Sequence, residues 1–594
     1  MTLWMAQNFV PLMFLGLFVL LLTGIPVAFG LAATGLLFGF IGMELSTLHP
    51  DILHIGASLF QALPLRVFGI MQNDTLLAIP FFTLMGIILE RSGMAEDLLE
   101  TVGQVFGPVR GGLAIAVILV GALLAATTGV VAAAVISMGL ISLPIMLRYG
   151  YNRAIATGTI TASGTLAQAI PPSLVLIVLA DQLGRSVGDM YAGALVPGLM
   201  LVGLYLLFIV GVAIVKPAWV PALPVEARIY REANGRSGHR SLMVLVLICV
   251  GAGLFWSTQH ERLMGAWLQR GTAAPQDEIV IMSMTVAALL AWGLALANKL
   301  LRLNLLSRLA QQVTFVLIPP LVLIFLVLGT IFLGVATPTE GGAMGAVGAL
   351  VMALAKQRLS LKLLNQALDN TLRLSCFVLF ILIGSTVFSF TFNAADGHVW
   401  VEHLFDQLPG GALGFLIVVN LLVFILGCFI DFFEIAFIVV PILAPVAAKV
   451  LPEMVPWMTP DMVMIWFGVI LAMNLQTSFL TPPFGFALFY LRSVAPQKDY
   501  QDRITGATIP AVSTSQIYKG SIAFIVLQLL MVAAVITFPG LVSQDPVTNA
   551  KDVDVEQIYQ NMEPAMPSFV PPPPMEEESP SSPASPASEP ASTP

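Results

Sequence analysis

The chain has 594 residues, of which 57% are hydrophobic and only 10% are charged, and its mean hydropathy is +0.91. This composition is typical of polytopic membrane proteins and excludes a string of soluble domains or a soluble enzyme. The net charge of -8 arises after residue 541, in a segment with nine acidic residues and one lysine. Because no basic stripe with interleaved aromatic residues occurs, nucleic acid is excluded as a partner.

Apolar runs long enough to cross a hydrocarbon core of about 30 Å recur from the N-terminus to residue 540. We predict helices over residues 8–22 and 25–43, an interfacial arm over 44–74, and a third spanning helix over 76–90. The N-terminal run lacks a basic region and a small-residue cleavage site. It is therefore predicted to be a retained helix rather than a signal peptide.

Residues 112–146 are apolar over a length too great for one straight helix, and they are interrupted at Thr127, Thr128 and Gly129. This pattern predicts a re-entrant hairpin whose tip lies near the middle of the membrane. A discontinuous helix is predicted over residues 154–181, broken between Ser163 and Pro172, because a mid-span proline pair interrupts the helical hydrogen bonds.

The basic loop 216–240 is predicted to be cytoplasmic, and two further helices follow at about 241–258 and 279–298. The first pattern then begins again. Pro338 lies 312 residues after Pro26, and the pair Pro482 and Pro483 lies 311 residues after the first Pro-Pro pair. A second hairpin is predicted over residues 412–449, around the tip GCFID, and a second broken helix over 463–494.

The loop charges predict that the two halves have opposite orientations, with both termini outside. This is the inverted-repeat arrangement of secondary transporters. We predict an all-α polytopic membrane protein with two re-entrant hairpins and two discontinuous helices. Its four parts are a first repeat (1–215), a loop with a two-helix insert (216–310), a second repeat (311–540) and a disordered tail (541–594) that is rich in Pro, Ser and Glu.

Helix breaks in mid-membrane leave backbone groups that need partners, and ions or anionic substrates can supply them. In the first half, the hairpin tip is expected to meet the break at Ser163, Gly164 and Thr165. In the second half, Gly427 and Asp431 are expected to meet a polar set that consists of Asn474, Thr477, Ser478 and Thr481. The alternative is that these small residues only allow close helix packing.

Asp431 and Glu434 are acids in an apolar segment and are therefore functional candidates, although solvation or structural pairing would also account for them. For Glu340 two interpretations stay open, a functional role or the capping of an exposed helix start. The three cysteines and the six histidines, which we place in loops, show no metal-ligand spacing, so no transition-metal site is predicted. Walker and Ser-His-Asp motifs are absent, so the chain is not predicted to be an enzyme.

The ordered motifs resemble the large membrane subunit, DctM-like, of TRAP transporters (tripartite ATP-independent periplasmic transporters). The similar stretches are IPFFTLMGIILERSGMAEDL, RGGLAIAVILVGALLAATTGVVAAAV, LPIMLRYGYNRAIATG, SGTLAQAIPPS, GVATPTEGGA, GCFIDFFEIAFIVVPILAP and NLQTSFLTPPFGFALFYL. Ala167 and Ser478 stand where glycines are often found in this family, Gln168 is an added polar residue, and the insert and the tail are extra.

The resemblance implies an elevator-type symporter that imports organic acids with Na⁺ as the coupling ion and no other cofactor. It also implies two partners, a small four-helix membrane subunit and a periplasmic substrate-binding protein, and a bacterial inner-membrane location. The residues matching the family's ion-binding regions are assigned to Na⁺, namely Thr128, Gly129, Ser163, Gly164, Gly427, Asn474 and Thr481. Five other polar residues of the tips and breaks are assigned to substrate, namely Thr127, Thr165, Asp431, Thr477 and Ser478.

Two alternatives stay open from the residues alone. One is a stand-alone carboxylate carrier of related fold, coupled to Na⁺ or to H⁺ through Asp431. A channel or a structural membrane scaffold is the more distant one. Among substrates, 2-oxo acids, aromatic acids and polyols such as mannitol are all compatible with the motifs.

Overall fold

A computed structural model describes residues 2–56, 58–128, 131–230, 238–268, 274, 276–302, 305–406, 409–482, 485–502 and 505–542. All of these residues belong to one compact unit. The predicted tail beyond residue 542 lies outside the described residues. The described part is almost entirely helical, as expected where each spanning segment must satisfy its own backbone hydrogen bonds.

The first repeat and the insert contain thirteen α-helices in the described residues. They are α1 (Thr2–Gln7), α2 (Phe9–Leu22), α3 (Val27–Leu48), α4 (Ser58–Met71), α5 (Ala78–Arg91), α6 (Met94–Phe106), α7 (Gly112–Thr128), α8 (Val131–Arg148), α9 (Arg153–Thr165), α10 (Leu174–Gln182), α11 (Val187–Val215), α12 (His239–Leu268) and α13 (Gln276–Leu300).

The described residues of the second repeat contain nine more helices and one short pair of antiparallel strands, β1 (Tyr500–Gln501) and β2 (Thr508–Ile509). The helices are α14 (Arg308–Phe332), α15 (Pro338–Ala355), α16 (Leu361–Ala394), α17 (Gly397–Asp406), α18 (Gly411–Gly427), α19 (Phe432–Val450), α20 (Pro460–Ser478), α21 (Phe486–Val494) and α22 (Thr514–Thr537).

Ten of the described helices are long and apolar enough to cross a membrane, or up to eleven if one bent pair counts as a span. The prediction of an all-α polytopic protein is therefore confirmed. The re-entrant placement of the hairpins and an elevator movement stay predictions. Most predicted helices are shorter than the observed ones, because polar residues interrupt the apolar pattern before the helix ends, as in α12.

The order of elements repeats, with one informative difference. The uninterrupted helix α16 has 34 residues, and the bent pair α4 and α5 occupies a stretch of the same length in the first repeat, Ser58–Arg91. The two parts of that pair meet at 44°. Asn73 causes the break, because its side chain accepts a hydrogen bond from the N–H of Thr75 (3.0 Å) and so caps a new helix start. The predicted interfacial arm contains the first of these two helices.

The two repeats pack reciprocally. Helix α3 packs on α16, and its counterpart α15 packs on α5. In the same way α10 packs on α19, and its counterpart α21 packs on α8. When element i of one repeat contacts element j of the other, and the reverse contact also occurs, the repeats are related by a two-fold axis. Each broken helix therefore begins beside its own hairpin and ends beside the hairpin of the other repeat.

Helices α9 and α22 approach until their backbones touch. A Cβ atom added to Gly158 would lie 2.2 Å from the carbonyl oxygen of Gly520, and one added to Gly520 would lie 2.1 Å from the carbonyl oxygen of Ala154. Small residues allow such approaches between apolar helices, where the hydrophobic effect gives no preference between lipid and protein neighbours. This contact gives the first broken helix a close-packed neighbour in the second repeat.

The insert forms a helical hairpin, α12 and α13, that packs on α14. Its interior holds a polar cluster in which His260 lies 3.1 Å from Glu278, and the indole N–H of Trp256 donates to His260 (3.2 Å). Our placement of all histidines in loops was therefore wrong, since His260 is buried within a helix. Polar residues interrupt the apolar pattern around His260, so the predicted helix ends at about residue 258, before this position.

Candidate functional site

The first break separates α9 from α10 by a single turn of 3-10 helix and an extended proline segment. The hydroxyl of Ser163 donates to the carbonyl oxygen of Thr159 (2.5 Å), and that of Thr165 donates to Ala162 (2.9 Å). Both side chains are fully buried. The hydroxyl hydrogens are thus engaged within the helix, and the oxygen atoms keep lone pairs that can accept a hydrogen bond or bind a cation.

The second break separates α20 from α21, and its hydroxyl groups are engaged in the same way. The hydroxyls of Thr477, Ser478 and Thr481 each donate to a carbonyl oxygen three or four residues earlier, at 2.6, 2.6 and 2.7 Å. All three residues are buried. The chain therefore carries two buried clusters of hydroxyl oxygens whose hydrogens point back into their own helices.

In the second repeat the structure brings the hairpin and the break together. A Cβ atom added to Gly427, the last residue of α18, would lie 2.3 Å from the Cβ atom of Ser478. The amide nitrogen of Asn474 donates to the carbonyl oxygen of Asn420 (2.7 Å) and to its side-chain oxygen (3.0 Å). Asn420 was not among the predicted site residues, because one asparagine in an apolar run carries no pattern of its own.

In the first repeat the break lies between both arms of its hairpin. A Cβ atom on Gly164 would lie 2.3 Å from the side chain of Val135, and one on Gly121 would lie 2.5 Å from the Cβ atom of Ser163. Thr127 and Thr128 end helix α7. Their side chains lie outside the described part of the chain, as does the whole of Gly129.

The two breaks also touch each other. The side-chain nitrogen of Gln476 donates to the hydroxyl oxygen of Thr165 (3.3 Å). These residues are 311 positions apart, which is also the separation of the two Pro-Pro pairs. They are therefore equivalent positions of the two repeats, and a contact between equivalent positions lies on the two-fold axis. The 311-residue separation of the proline pairs identifies Gln476 as the equivalent of Thr165 from the sequence alone.

Two glutamines at the breaks have buried polar atoms for which the described residues supply no hydrogen-bond partner. Both the nitrogen and the oxygen of the Gln168 side chain are in this state, as is the side-chain oxygen of Gln476. Leaving a buried polar group unpaired costs about 1–3 kcal/mol. Such groups can be satisfied by a ligand, since an amide oxygen suits Na⁺ or a ligand donor and an amide N–H suits a carboxylate.

The two acids near the second hairpin tip form a capping box. Asp431 accepts a hydrogen bond from the N–H of Phe432 (2.7 Å), and Glu434 accepts one from the N–H of Asp431 (3.2 Å). Together they cap the start of α19. Glu340 does the same at the start of α15, where it accepts from the N–H of Thr337 (2.8 Å), as the capping alternative predicted.

Ion pairs tie the ends of these elements together. Arg148, at the end of the first hairpin, contacts Asp502, in the loop after the second broken helix, at 2.9 Å. The hydrogen bonds from Arg148 hold the pKa of Asp502 well below its usual range. Arg185, after the first broken helix, pairs with Asp461 at the start of the second. No cluster of three or more potential metal-ligating side chains occurs among the residues the structure describes.

A repeated, reciprocally packed set of apolar helices with two buried polar breaks is the architecture of a polytopic membrane transporter. The chain belongs to the family described as "Tripartite ATP-independent periplasmic transporter, DctM component", whose pattern it matches over residues 14–269 and 273–541. The resemblance seen in the motifs is thereby confirmed. The chain is a multi-pass membrane protein and a transporter permease rather than an enzyme.

Two similar proteins are named "C4-dicarboxylate TRAP transporter large permease protein DctM". The one from Pseudomonas aeruginosa is 27% identical over 73% of this chain and 81% of its own length. The one from Rhodobacter capsulatus is 26% identical over 88% and 97%. The "Sialic acid TRAP transporter permease protein SiaT" of Haemophilus influenzae is 20% identical over 80% and 60%. A structure of the Alcanivorax borkumensis YdaH transporter aligns with a TM-score of 0.49, at 12% identity, over 86% and 98%.

Proposed function

We propose that this chain is the large membrane subunit of a Na⁺-coupled importer of organic acids that receives its substrate from a periplasmic binding protein. The observation that carries the proposal is the meeting of the two breaks at Thr165 and Gln476, with polar atoms of Gln168 and Gln476 left unpaired around it. Unpaired polar groups at membrane depth are costly unless a ligand satisfies them.

The coupling ion is Na⁺ in this proposal, because the breaks offer neutral oxygen atoms. One site would use Thr128, Gly129, Ser163 and Gly164, and the other Gly427, Asn474 and Thr481. Hard cations such as Na⁺ prefer carbonyl and hydroxyl oxygens, and freed backbone carbonyls of broken helices bind Na⁺ in secondary transporters. The hydroxyl hydrogens of both clusters point into their own helices, so the oxygen lone pairs are available.

The substrate would lie between the two ion sites, on the two-fold axis. Thr165 and Thr477 would face it, with Thr127, Asp431 and Ser478 at its border. An organic acid is favoured because similar proteins are named for C4-dicarboxylate, isethionate and sialic acid. Asp431, which caps α19, would orient the hairpin tip rather than contact the carboxylate, since two anions repel.

Movement would follow the elevator scheme, with the hairpins and broken helices sliding as one body along the plain helices. The reciprocal packing supports one body, because each broken helix contacts both hairpins. Na⁺ binding would order the tips and raise the affinity for the acid. By linkage, the acid would raise the affinity for Na⁺ by the same factor.

The partners would be a small four-helix membrane subunit and a periplasmic binding protein, in the inner membrane of a bacterium with both termini periplasmic. The tripartite family description and the name of a relative, "Isethionate TRAP transporter permease protein DctMQ", support this assembly.

Reconstituted uptake tests the whole proposal. The complex in liposomes should take up a labelled acid only with an inward Na⁺ gradient and added binding protein. Uptake that persists without Na⁺ but follows a proton gradient would replace the proposal with an H⁺-coupled carrier. Saturable uptake without any binding protein would replace it with a stand-alone carrier.

A further inference from the structure

A pocket of about 190 Å³ lies away from the breaks, between helices α4, α10, α16 and α19. Two of the helices that line it, α4 and α16, lie outside the hairpins and the broken helices. The other two, α10 and α19, belong to the first broken helix and the second hairpin. The pocket is therefore shared between the body that would move and the helices that would stay fixed. Its lining includes Arg66, Gln182, Ser389 and Asn393.

The lining has one charged residue, Arg66, and five neutral hydrogen-bonding side chains, with no acid among them. None of the ion pairs found within the described ranges includes Arg66. Its guanidinium carbon lies 5.8 Å from the centroid of the Phe390 ring, a cation–π distance that holds the side chain beside the pocket. A guanidinium presents a planar fork of N–H donors that binds carboxylates through two parallel hydrogen bonds.

Polar contacts also connect the fixed and moving parts beside this pocket. The side-chain nitrogen of Asn73, at the break between α4 and α5, donates to Asp181 of α10 (2.7 Å). The side chain of Gln182 donates to the other oxygen of Asp181 (2.9 Å). Both carboxylate oxygens of Asp181 therefore already accept hydrogen bonds from side-chain amides. By the predicted orientation, this end of α10 faces the periplasm, from which an imported acid would arrive.

We propose that this pocket is an entry subsite for the carboxylate of the incoming acid, with Arg66 as the residue that binds it. The inference rests on the proposed import of organic acids. All four helices, α4, α10, α16 and α19, are needed to form the subsite. Movement of α10 and α19 relative to α4 and α16 would therefore open the subsite and release the acid toward the breaks. Arg66 would set the concentration at which the carrier saturates, whereas the central site would set the maximal rate.

A thiol-protection assay tests the pocket without relying on transport. The reporter is Ser389→Cys in the full chain with its three native cysteines replaced, labelled from outside by a membrane-impermeant maleimide in liposomes. Succinate, pyruvate and benzoate serve as carboxylate probes, and sodium chloride of equal ionic strength serves as the reference. We expect at least one acid to slow labelling fivefold or more, and Arg66→Gln to abolish that protection.

Arg373→Gln is the matched control, since Arg373 is an exposed arginine on α16 whose ion pair with Asp369 does not reach the pocket. This variant should keep the protection. Absence of protection by all three acids, or protection that survives Arg66→Gln, overturns the entry subsite. A labelling rate that does not depend on the acids but changes with phosphatidylglycerol content would indicate that Arg66 binds a lipid headgroup. This outcome would also overturn the proposal.

Uptake kinetics separate this inference from the proposed function. With any acid that the wild type takes up, Arg66→Gln should raise the half-saturating concentration at least tenfold and leave the maximal rate within twofold, and Arg66→Lys should recover part of the affinity. Unchanged half-saturation overturns the subsite and leaves the proposed importer intact. Absence of Na⁺-dependent uptake in the wild type overturns the proposed importer, while the protection assay still decides whether Arg66 binds carboxylates.

Discussion

The two breaks both carry buried hydroxyl groups that donate within their own helices, but they differ in how they meet their hairpins. At the first break, Ser163 packs against Gly121, and no side-chain hydrogen bond joins the two within the described residues. At the second, Asn474 donates two hydrogen bonds to Asn420 of the hairpin arm. Asn474 is equivalent to Ser163 by the proline register. A packed contact can slide, whereas an amide pair has a defined geometry, so the second half should hold its hairpin more rigidly.

The largest effect should come from closing the space between hairpin and break. In Gly427→Val, the new Cβ atom would lie only 2.3 Å from the Cβ atom of Ser478. Crowding of this kind typically lowers the free energy of unfolding by about 1–3 kcal/mol or more. We expect uptake to fall more than tenfold and the thermal midpoint to drop. Gly203→Val is the control, because a Cβ atom there meets nothing within 4 Å. Wild-type uptake by the Gly427 variant would mean that the hairpin does not seat on the break.

The amide pair offers a direct comparison of the two halves. Asn474→Leu leaves the side-chain oxygen of Asn420 without its donor and removes the extra hydrogen bond to the Asn420 backbone oxygen. This should lower stability by about 1–3 kcal/mol and raise the Na⁺ concentration for half-maximal uptake. Ser163→Ala removes a hydroxyl that bonds only within its own helix and should cost about 1 kcal/mol or less. Thermal midpoints and Na⁺ titrations measure both variants. Equal decreases in thermal midpoint for the two variants would contradict the difference in rigidity between the two halves.

Substitution of Gln168 distinguishes a ligand-binding role of its side chain from a structural one. Because its amide is buried without a partner in the described residues, Gln168→Met removes an unsatisfied polar group and should leave stability equal or higher by about 1 kcal/mol. Uptake should nevertheless fall several-fold if the amide contacts an ion or the acid. A more stable variant with unchanged uptake would show that the group serves neither.

The smallest effects should come from two ion pairs, Arg148–Asp502 and Arg185–Asp461. The depressed pKa of Asp502 means that the first pair stabilises the fold above the ordinary aspartate range, near pH 4, and that this contribution is lost as the pH falls through the lower folded-state value. The difference in thermal midpoint between wild type and Asp502→Asn should therefore stay constant from about pH 6 to 9 and shrink only in acid. Asp461→Asn, which breaks an exposed pair, should shift the midpoint less at every pH.

Much of the helix order and both breaks could be predicted, because a membrane imposes strong and simple rules on sequence. The second break was located from its proline pair, and the structure ends α20 at Ser478, within the predicted range. The interfacial arm was described too coarsely, because one capping residue, Asn73, turns a continuous helix into a bent pair. The prediction of a loop at His260 was wrong, because polar residues interrupt the apolar pattern of α12 before this position, and its partner Glu278 is distant in sequence.

The amino-acid sequence by itself determined the class of protein, the repeat and the two polar interruptions, since apolar length and mid-span prolines have few other physical meanings. Only the tertiary structure decided which polar atoms meet. Lipid and protein interiors are equally apolar, so an apolar run does not reveal which helix lies beside it. The contact of Thr165 with Gln476, the unpaired amide of Gln168 and the pocket at Arg66 all depend on that choice of neighbours.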